Sequence, residues 1–197
     1  SDPFILFEPG GHLDVTHARY TAVDDTSVRV TGADWVPSDT YSVKLEGARV
    51  AGYQTIIMAT IRDPHYVANI GTWCDDIAAR HAAKVALRMG DVGHDLQLRV
   101  IGQTATLGDL DSAAITPTEV GVIGIVTAPD QQTANDVAKL LNPYLLHHPL
   151  TQEEEQPTFA FPFSPAEIDR GPAYGFALHH VMPLSDPMEA FRLTVLS

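Results

Sequence analysis

The feature that most constrains the fold is an apolar strand followed at once by a long amphipathic helix. Residues 54–60 are mostly apolar, which is typical of a buried strand. Asp63 and Pro64 then supply an N-cap and a first helical residue whose missing N–H costs nothing. Apolar-face positions recur at three- and four-residue spacing as far as Gly90, which predicts one helix over 64–89: Val67, Ile70, Cys74, Ile77, His81 and Val85.

Strand and helix patterns continue to alternate after this helix. Apolar and alternating runs predict strands at 51–60, 95–102 and 119–127, with a second helix at 131–142. We expect Pro143 to end or kink that helix, because proline cannot continue the helical hydrogen bonding. The order β-α-β-β-α, followed by later strands, predicts an α+β protein with a split βαβ, ferredoxin-like unit on a mixed, mainly antiparallel sheet.

Four segments make up the predicted organisation of the chain. Residues 1–50 contain short alternating runs that predict an antiparallel β meander, an extension of the same domain. Residues 51–150 form the βαββα unit. Residues 151–157 carry three consecutive glutamates and predict an acidic loop. Residues 158–197 complete the sheet.

The C-terminal segment combines a helix signal with a strand signal. Ser164 and Glu167 have the spacing of a capping box, with Pro165 at the first helical position, which predicts a short helix as far as Arg170. Alternation over 174–181 then predicts a strand.

Charge and cysteine content exclude several functions. The chain has 12 Lys and Arg against 25 Asp and Glu, a net charge of −13, which argues against binding to nucleic acid or anionic membranes. Cys74 is the single cysteine, so no intrachain disulfide forms, and its apolar helix face predicts a packed core thiol. No secretory leader is recognisable, so we expect a cytoplasmic protein.

Two stretches carry a resemblance to a known family. The first comprises residues 43–48, 52–56 and 61–64, ending in Ile61-Arg62-Asp63-Pro64. The second runs over 161–174, from Phe161-Pro162-Phe163-Ser164-Pro165 to Gly171-Pro172-Ala173-Tyr174, and continues at 180–181, 186–187 and 191–192. Together they resemble the C-terminal half of the acyclic terpene utilisation protein AtuA family, and residues 13–16 and 28–33 resemble its middle section.

The resemblance implies a role in bacterial catabolism of acyclic terpenes such as citronellol and geraniol, through CoA thioesters. It implies no assigned reaction, so the chemistry stays open. Family members carry a further N-terminal α/β domain, and this sequence begins at Ser1-Asp2-Pro3 without Met. We therefore expect a fragment whose missing N-terminal domain is its partner.

Four residues are candidates for a site shared with that domain. Arg62 precedes a helix start and would bind a substrate carboxylate or CoA phosphate; alternatively it pairs with an exposed acid. Asp169 and Arg170 would move a proton and orient an acyl group, unless this segment is purely structural. His180 is the second candidate for proton transfer; alternatively, one of the neighbouring His179 and His180 is buried and hydrogen-bonded and the other is solvated.

A second hypothesis makes the chain a non-catalytic scaffold that forms a homo-oligomer or supports a catalytic subunit. Proline, glycine and aromatic residues dominate the 161–174 motif, which favours a structural role. His147-His148 has no cysteine or carboxylate at a recognised zinc spacing, so no metal site is predicted. No cofactor is predicted either, and a CoA thioester is the substrate class that the resemblance implies.

Overall fold

A computed structural model describes residues 2–103, 105–110 and 117–196. The chain divides into two compact units. One consists of Val50–Tyr174, and the other combines Ser1–Arg49 with Gly175–Ser197. Both contain antiparallel strand pairs, and the helices lie in the first, so the α+β class predicted from the sequence is confirmed.

The Val50–Tyr174 unit is built on one sheet with two long helices. Its elements are β6 (Ser42–Ile61), α1 (Pro64–Ala68), α2 (Ile70–Met89), β7 (Asp95–Ile101), a 3-10 turn (Gly108–Leu110), β8 (Val120–Ala128), α3 (Gln131–His147) and β9 (Glu167–Pro183). Strands β6 and β9 also contribute residues to the other unit. The strand order is β7-β8-β6-β9, and β8 is antiparallel to both β6 and β7.

The first predicted helix is correct at its start and wrong in its continuity. Asp63 accepts hydrogen bonds from the backbone N–H groups of His65 (2.8 Å) and Tyr66 (3.3 Å), as an N-cap does. The helix is interrupted at Asn69, whose side chain donates to the His65 carbonyl (2.9 Å). This local side-chain bond competes with the backbone ladder, so α2 starts afresh at Ile70.

The predicted end of the second helix at Pro143 is also wrong. Helix α3 continues through Pro143 to His147. Leu141 and Leu145 on either side are fully buried, and burying a leucine stabilises by about 1.5–3 kcal/mol. That gain is comparable to the roughly 3 kcal/mol cost of a proline inside a helix.

The capping-box prediction at residues 164–170 is wrong as well. Glu167 begins strand β9, and no helix forms there. Its carboxylate instead accepts a hydrogen bond from Asn142 Nδ2 on α3 (2.6 Å). The Glu167 carboxylate therefore pairs with Asn142, 25 residues away in sequence, and not with the backbone N–H of Ser164 as the capping box predicts. The strand predicted at 174–181 is confirmed within β9.

The core lies between the sheet and the two long helices. Ile57, Val122 and Val126 on the sheet pack against Ile77 on α2 and Leu141 on α3, and all five are fully buried. Gly124 in β8 permits the close approach of α3, because a Cβ there would lie 2.7 Å from Leu141 Cδ2. Within the described residues, no helix is both long enough and apolar enough to span a membrane.

The second unit contains short strands and little core. Strands β1 (Ile5–Glu8), β2 (Gly11–Asp14) and β5 (Asp34–Pro37) form an antiparallel sheet in the order β1-β2-β5. Strands β3 (Arg19–Ala22) and β4 (Val28–Thr31) form a separate antiparallel hairpin. The predicted antiparallel pairing is confirmed, but the strands do not form one continuous meander, because the hairpin is inserted between β2 and β5.

We predict that His81 makes this fold sensitive to mild acid. The imidazole is fully buried between α2 and α3, where Nε2 donates to the Val137 carbonyl (3.0 Å) and Nδ1 has no partner within the described chain. Burial lowers the pKa of His81, and the nearby His94 and Lys84 act in the same direction, although the bond to Val137 opposes them. As the pH falls, the unfolded chain therefore takes up a proton at His81 before the folded chain does.

The free energy of unfolding should accordingly fall as the pH drops below about 6.5, by at most about 1.4 kcal/mol per pH unit from this group. Urea denaturation at pH 7.5, 6.5 and 5.5 measures the effect. His81→Gln should flatten the pH dependence, whereas His17→Gln, at an exposed site, should leave it unchanged. An equal slope in the wild type and His81→Gln would contradict the prediction.

Candidate functional site

A cavity of about 400 Å³ lies beside α2 in the Val50–Tyr174 unit. Its walls come from α2 and from the segment that follows α3. Asp76 and Arg80 supply charge from the helix, His148 supplies an imidazole, and Trp73 supplies an aromatic surface. The volume is within the range of small-molecule pockets.

Helical spacing places three of these side chains together. Trp73, Asp76 and Arg80 are separated by three and four residues, so they share one face of α2. Trp73 is buried, and its indole Nε1 donates to the carbonyl oxygen of His148 (2.8 Å). This bond fixes the chain at His148 against the helix.

A single carboxylate oxygen joins the charged groups. Asp76 Oδ2 accepts a hydrogen bond from Arg80 Nε (2.8 Å) and contacts His148 Nε2 (2.6 Å). The bond from Arg80 is the main cause that lowers the pKa of the Asp76 carboxyl, and the bond from His148 acts in the same direction. Asp76 is therefore ionised at neutral pH.

The ionised Asp76 fixes the tautomer of His148. An ionised carboxylate only accepts hydrogen bonds, so the proton must be on His148 Nε2. In the neutral imidazole the lone pair is then on Nδ1, which can accept a proton. The side chain is only 9% exposed and packs edge-on against the Tyr144 ring (5.9 Å between centroids).

The arrangement can hold an anion and exchange a proton with it. The bond to Asp76 uses Arg80 Nε, and the guanidinium carries further N–H groups that suit the two oxygens of a carboxylate. Thr72, Thr151 and Gln152 add polar groups to the wall. Their mixture with Trp73 and Leu150 is typical of a site for a small organic anion.

Arg62, one of the four sequence-predicted site residues, lies in a different depression of this unit. It is exposed and lines a groove of about 450 Å³ with Thr60, Asp63, Glu119 and Phe159. The Asp63 side chain already accepts hydrogen bonds from two backbone N–H groups as the N-cap of α1. The groove therefore offers one arginine beside two acids, a weaker anion site than the cavity.

The other three predicted residues lie on β9. Asp169 and Arg170 are exposed, and as neighbours in a strand they point to opposite faces. Arg170 Nη1 donates to the Pro172 carbonyl (3.0 Å). His180 is exposed and belongs to the other unit. Among the described residues, no hydrogen bond or ion pair joins any two of the four, and their proposed roles stay predictions.

Sequence reasoning misses Asp76, Arg80 and the role of His148. Asp76 and Arg80 have the i,i+4 spacing of a helical ion pair beside a tryptophan, which is a signal the sequence does carry. From the sequence, His148 is considered only together with His147, as a zinc pair, and no metal site is predicted there. In the structure, His147 Nδ1 is hydrogen-bonded to the Pro157 carbonyl (2.9 Å). In the part of the chain that is described, no three metal-ligating side chains cluster.

Comparison with protein-family models, curated proteins and solved structures finds no match to this chain.

We predict that Arg80 is the main group holding the Asp76 carboxyl ionised. Arg80→Ala should raise the Asp76 pKa towards its ordinary value of 3.8, and His148→Gln should raise it by less, following the order of the two causes. Carbon-13 NMR of the side-chain carboxyl across an acid titration measures both. Lys139→Ala, which removes a comparable exposed pair with Asp136 (3.5 Å), is the control and should change nothing at Asp76. A larger effect from His148→Gln would contradict this assignment.

Proposed function

We propose that this chain binds a small carboxylic acid, or the acyl end of a CoA thioester, in the Asp76–His148 cavity. The single observation behind the proposal is the hydrogen-bonded series Arg80–Asp76–His148 on the wall of a 400 Å³ cavity. Arg80 binds the anionic or polarised oxygen, Asp76 holds both partners, and His148 Nδ1 accepts or returns a proton. The cavity suits a ligand of small-molecule size, which favours the acid or acyl group over a whole CoA molecule.

This chemistry agrees with the family resemblance of the sequence. We propose that the chain is the C-terminal part of an AtuA-family protein acting in catabolism of acyclic terpenes, or of related organic acids and acyl-CoA compounds. The reaction is not assigned. A cytoplasmic location and an N-terminal partner domain belong to the same proposal.

We also propose a ferredoxin-like arrangement for the Val50–Tyr174 unit. In support, the chain order from β6 through α2, β7, β8 and α3 to β9 is β-α-β-β-α-β. The strand order β7-β8-β6-β9 places the first and third strands at the centre and the second and fourth at the edges. Antiparallel pairing of β8 with β6 and β7 agrees with this arrangement.

A scaffold without catalysis is the second candidate. The observation that favours it is the large number of exposed apolar side chains in the unit containing residues 1–49 and 175–197. Such surfaces commonly mark contacts with other proteins. A scaffold would show association but no ligand binding at Arg80.

We expect a thermal-shift screen of this chain to separate the two candidates. Small carboxylic acids and acyl-CoAs that bind the cavity should stabilise the folded state, by roughly 2.7 kcal/mol at 100 times the dissociation constant. Arg80→Met should remove this stabilisation, because it keeps an unbranched apolar stem and loses the guanidinium. His148→Gln should weaken it.

Two control variants locate the site. Arg88→Met, on the same helix but outside the cavity, should respond to ligand as the wild type does. Arg62→Met tests the groove of the sequence-based prediction. Loss of binding in Arg62→Met but not in Arg80→Met would place the site in that groove and overturn the proposal, and absence of binding by every acid and thioester would favour the scaffold.

A further inference from the structure

The segment that follows α3 is a loop whose two ends are tied together. The backbone N–H of Phe159 donates to the Leu146 carbonyl (3.0 Å), and His147 Nδ1 is hydrogen-bonded to the Pro157 carbonyl (2.9 Å). Residues 148–156 therefore leave the end of the helix and return to it, and we call them the cavity loop. Compact surface loops with joined ends are frequently functional.

The first half of the cavity loop forms one wall of the Asp76–His148 cavity. Residues 148–152 line the cavity, and α2 supplies the other side. The hydrogen bond from the Trp73 indole to the His148 carbonyl holds the start of the loop (2.8 Å). The position of the residues that follow His148 therefore sets the width of the cavity.

Glu154 connects the second half of the cavity loop to α1. Its Oε1 contacts His65 Nε2 (3.1 Å), and its Oε2 accepts a hydrogen bond from the Tyr66 hydroxyl (3.1 Å). The bond from His65 is the main cause that lowers the pKa of the Glu154 carboxyl, and bonds from Tyr66 and the Leu150 backbone N–H act in the same direction. Because Leu150 lines the cavity, one carboxylate links α1 to the cavity wall.

The three consecutive glutamates of this loop differ in their surroundings. Glu154 is partly buried, with a side chain 29% exposed, whereas Glu153 and Glu155 on either side are exposed. The acidic run is therefore more than a solvated loop, because its middle member makes the contacts with α1. Its neighbours provide variants with the same charge change but without those contacts.

We propose that the cavity loop is a lid on the Asp76–His148 cavity and that Glu154 is the latch that holds it closed against α1. Tyr66 is buried and edge-on to Phe159 (4.9 Å between centroids), so the α1 side is fixed and the loop is the part that moves. The His65 side chain is 59% exposed, and an exposed ion pair contributes little to stability. The latch can therefore open while the core stays folded. The role of the lid in ligand binding rests on the proposed function, whereas the latch itself does not.

The latch depends on pH through His65. A histidine takes up a proton below about pH 6.5, and a charged imidazole makes a stronger hydrogen bond to an ionised carboxylate. The other charged or titratable groups on the surrounding elements are Asp63 before α1, Glu153 and Glu155 on the loop, and Asp76, Arg80 and His148 at the cavity. Closure should strengthen as the pH falls from 7.5 to 5.5, whereas His81 makes the whole fold less stable over the same range.

Fluorescence quenching of Trp73 by acrylamide tests the latch without any ligand. The chain has two tryptophans, and Trp35→Phe leaves Trp73 as the only indole, on the cavity wall and 1% exposed. In that background Glu154→Ala should raise the quenching constant by about two- to tenfold, the range expected for the loss of a hydrogen bond. Glu153→Ala is the matched control and should be quenched like its parent. Equal quenching of these two variants, with native circular dichroism, would overturn the proposal.

Two further measurements separate the parts of the proposal. Quenching should weaken from pH 7.5 to 5.5 in the parent and in His81→Gln, but not in His65→Gln; the same pH dependence in His65→Gln would exclude His65 as the titrating partner. Sodium butyrate, a small carboxylate, should protect Trp73 by holding the lid closed. Quenching that responds to Glu154→Ala but not to butyrate or any other acid would support the latch and count against the proposed ligand site, so the two failures are distinguishable.

Discussion

The hydrogen bond from the Trp73 indole to the His148 carbonyl is the contact on which the candidate site depends. Trp73 lies in an aromatic cluster, edge-on to Tyr66 (6.4 Å) and Phe159 (5.6 Å). The tryptophan is thereby fixed by the core, and it in turn fixes the backbone that carries His148. Because an imidazole follows its backbone, the 2.6 Å contact with Asp76 is a consequence of core packing as well as of charge.

Helix α2 carries two ionisable groups, Cys74 and Asp76, whose pKa values are shifted in opposite directions. Burial raises the pKa of the Cys74 thiol to about 12, and the neighbouring Asp75 adds to the effect, so this thiol is protonated and unreactive. Two residues later the bond from Arg80 lowers the pKa of Asp76. Asp76 and His148 therefore lie at the edge of the core, where packing holds them in place and solvent still reaches the Asp76 carboxylate.

Sequence periodicity predicted which helices and strands form better than it predicted where they begin and end. The predictions of β7, of β8 and of the Asp63 cap were correct, because these features depend on residues that are neighbours in the sequence. The break at Asn69 and the strand at Glu167 could not be predicted this way, because competing hydrogen bonds decide them. The same limit applies to the site, where His148 meets Asp76 only through the tertiary fold, 72 residues away in sequence.

The two units differ in how much of their apolar surface is buried. Every side chain of the Arg80–Asp76–His148 series stands on a unit with its own core between a sheet and two helices. The hairpin belongs to a unit whose apolar residues are mostly exposed. A ligand site needs rigid support, which a packed core provides, whereas a surface meant for association must leave apolar area uncovered in the monomer. The proposed ligand site therefore belongs to the unit whose packed core can hold its side chains rigidly.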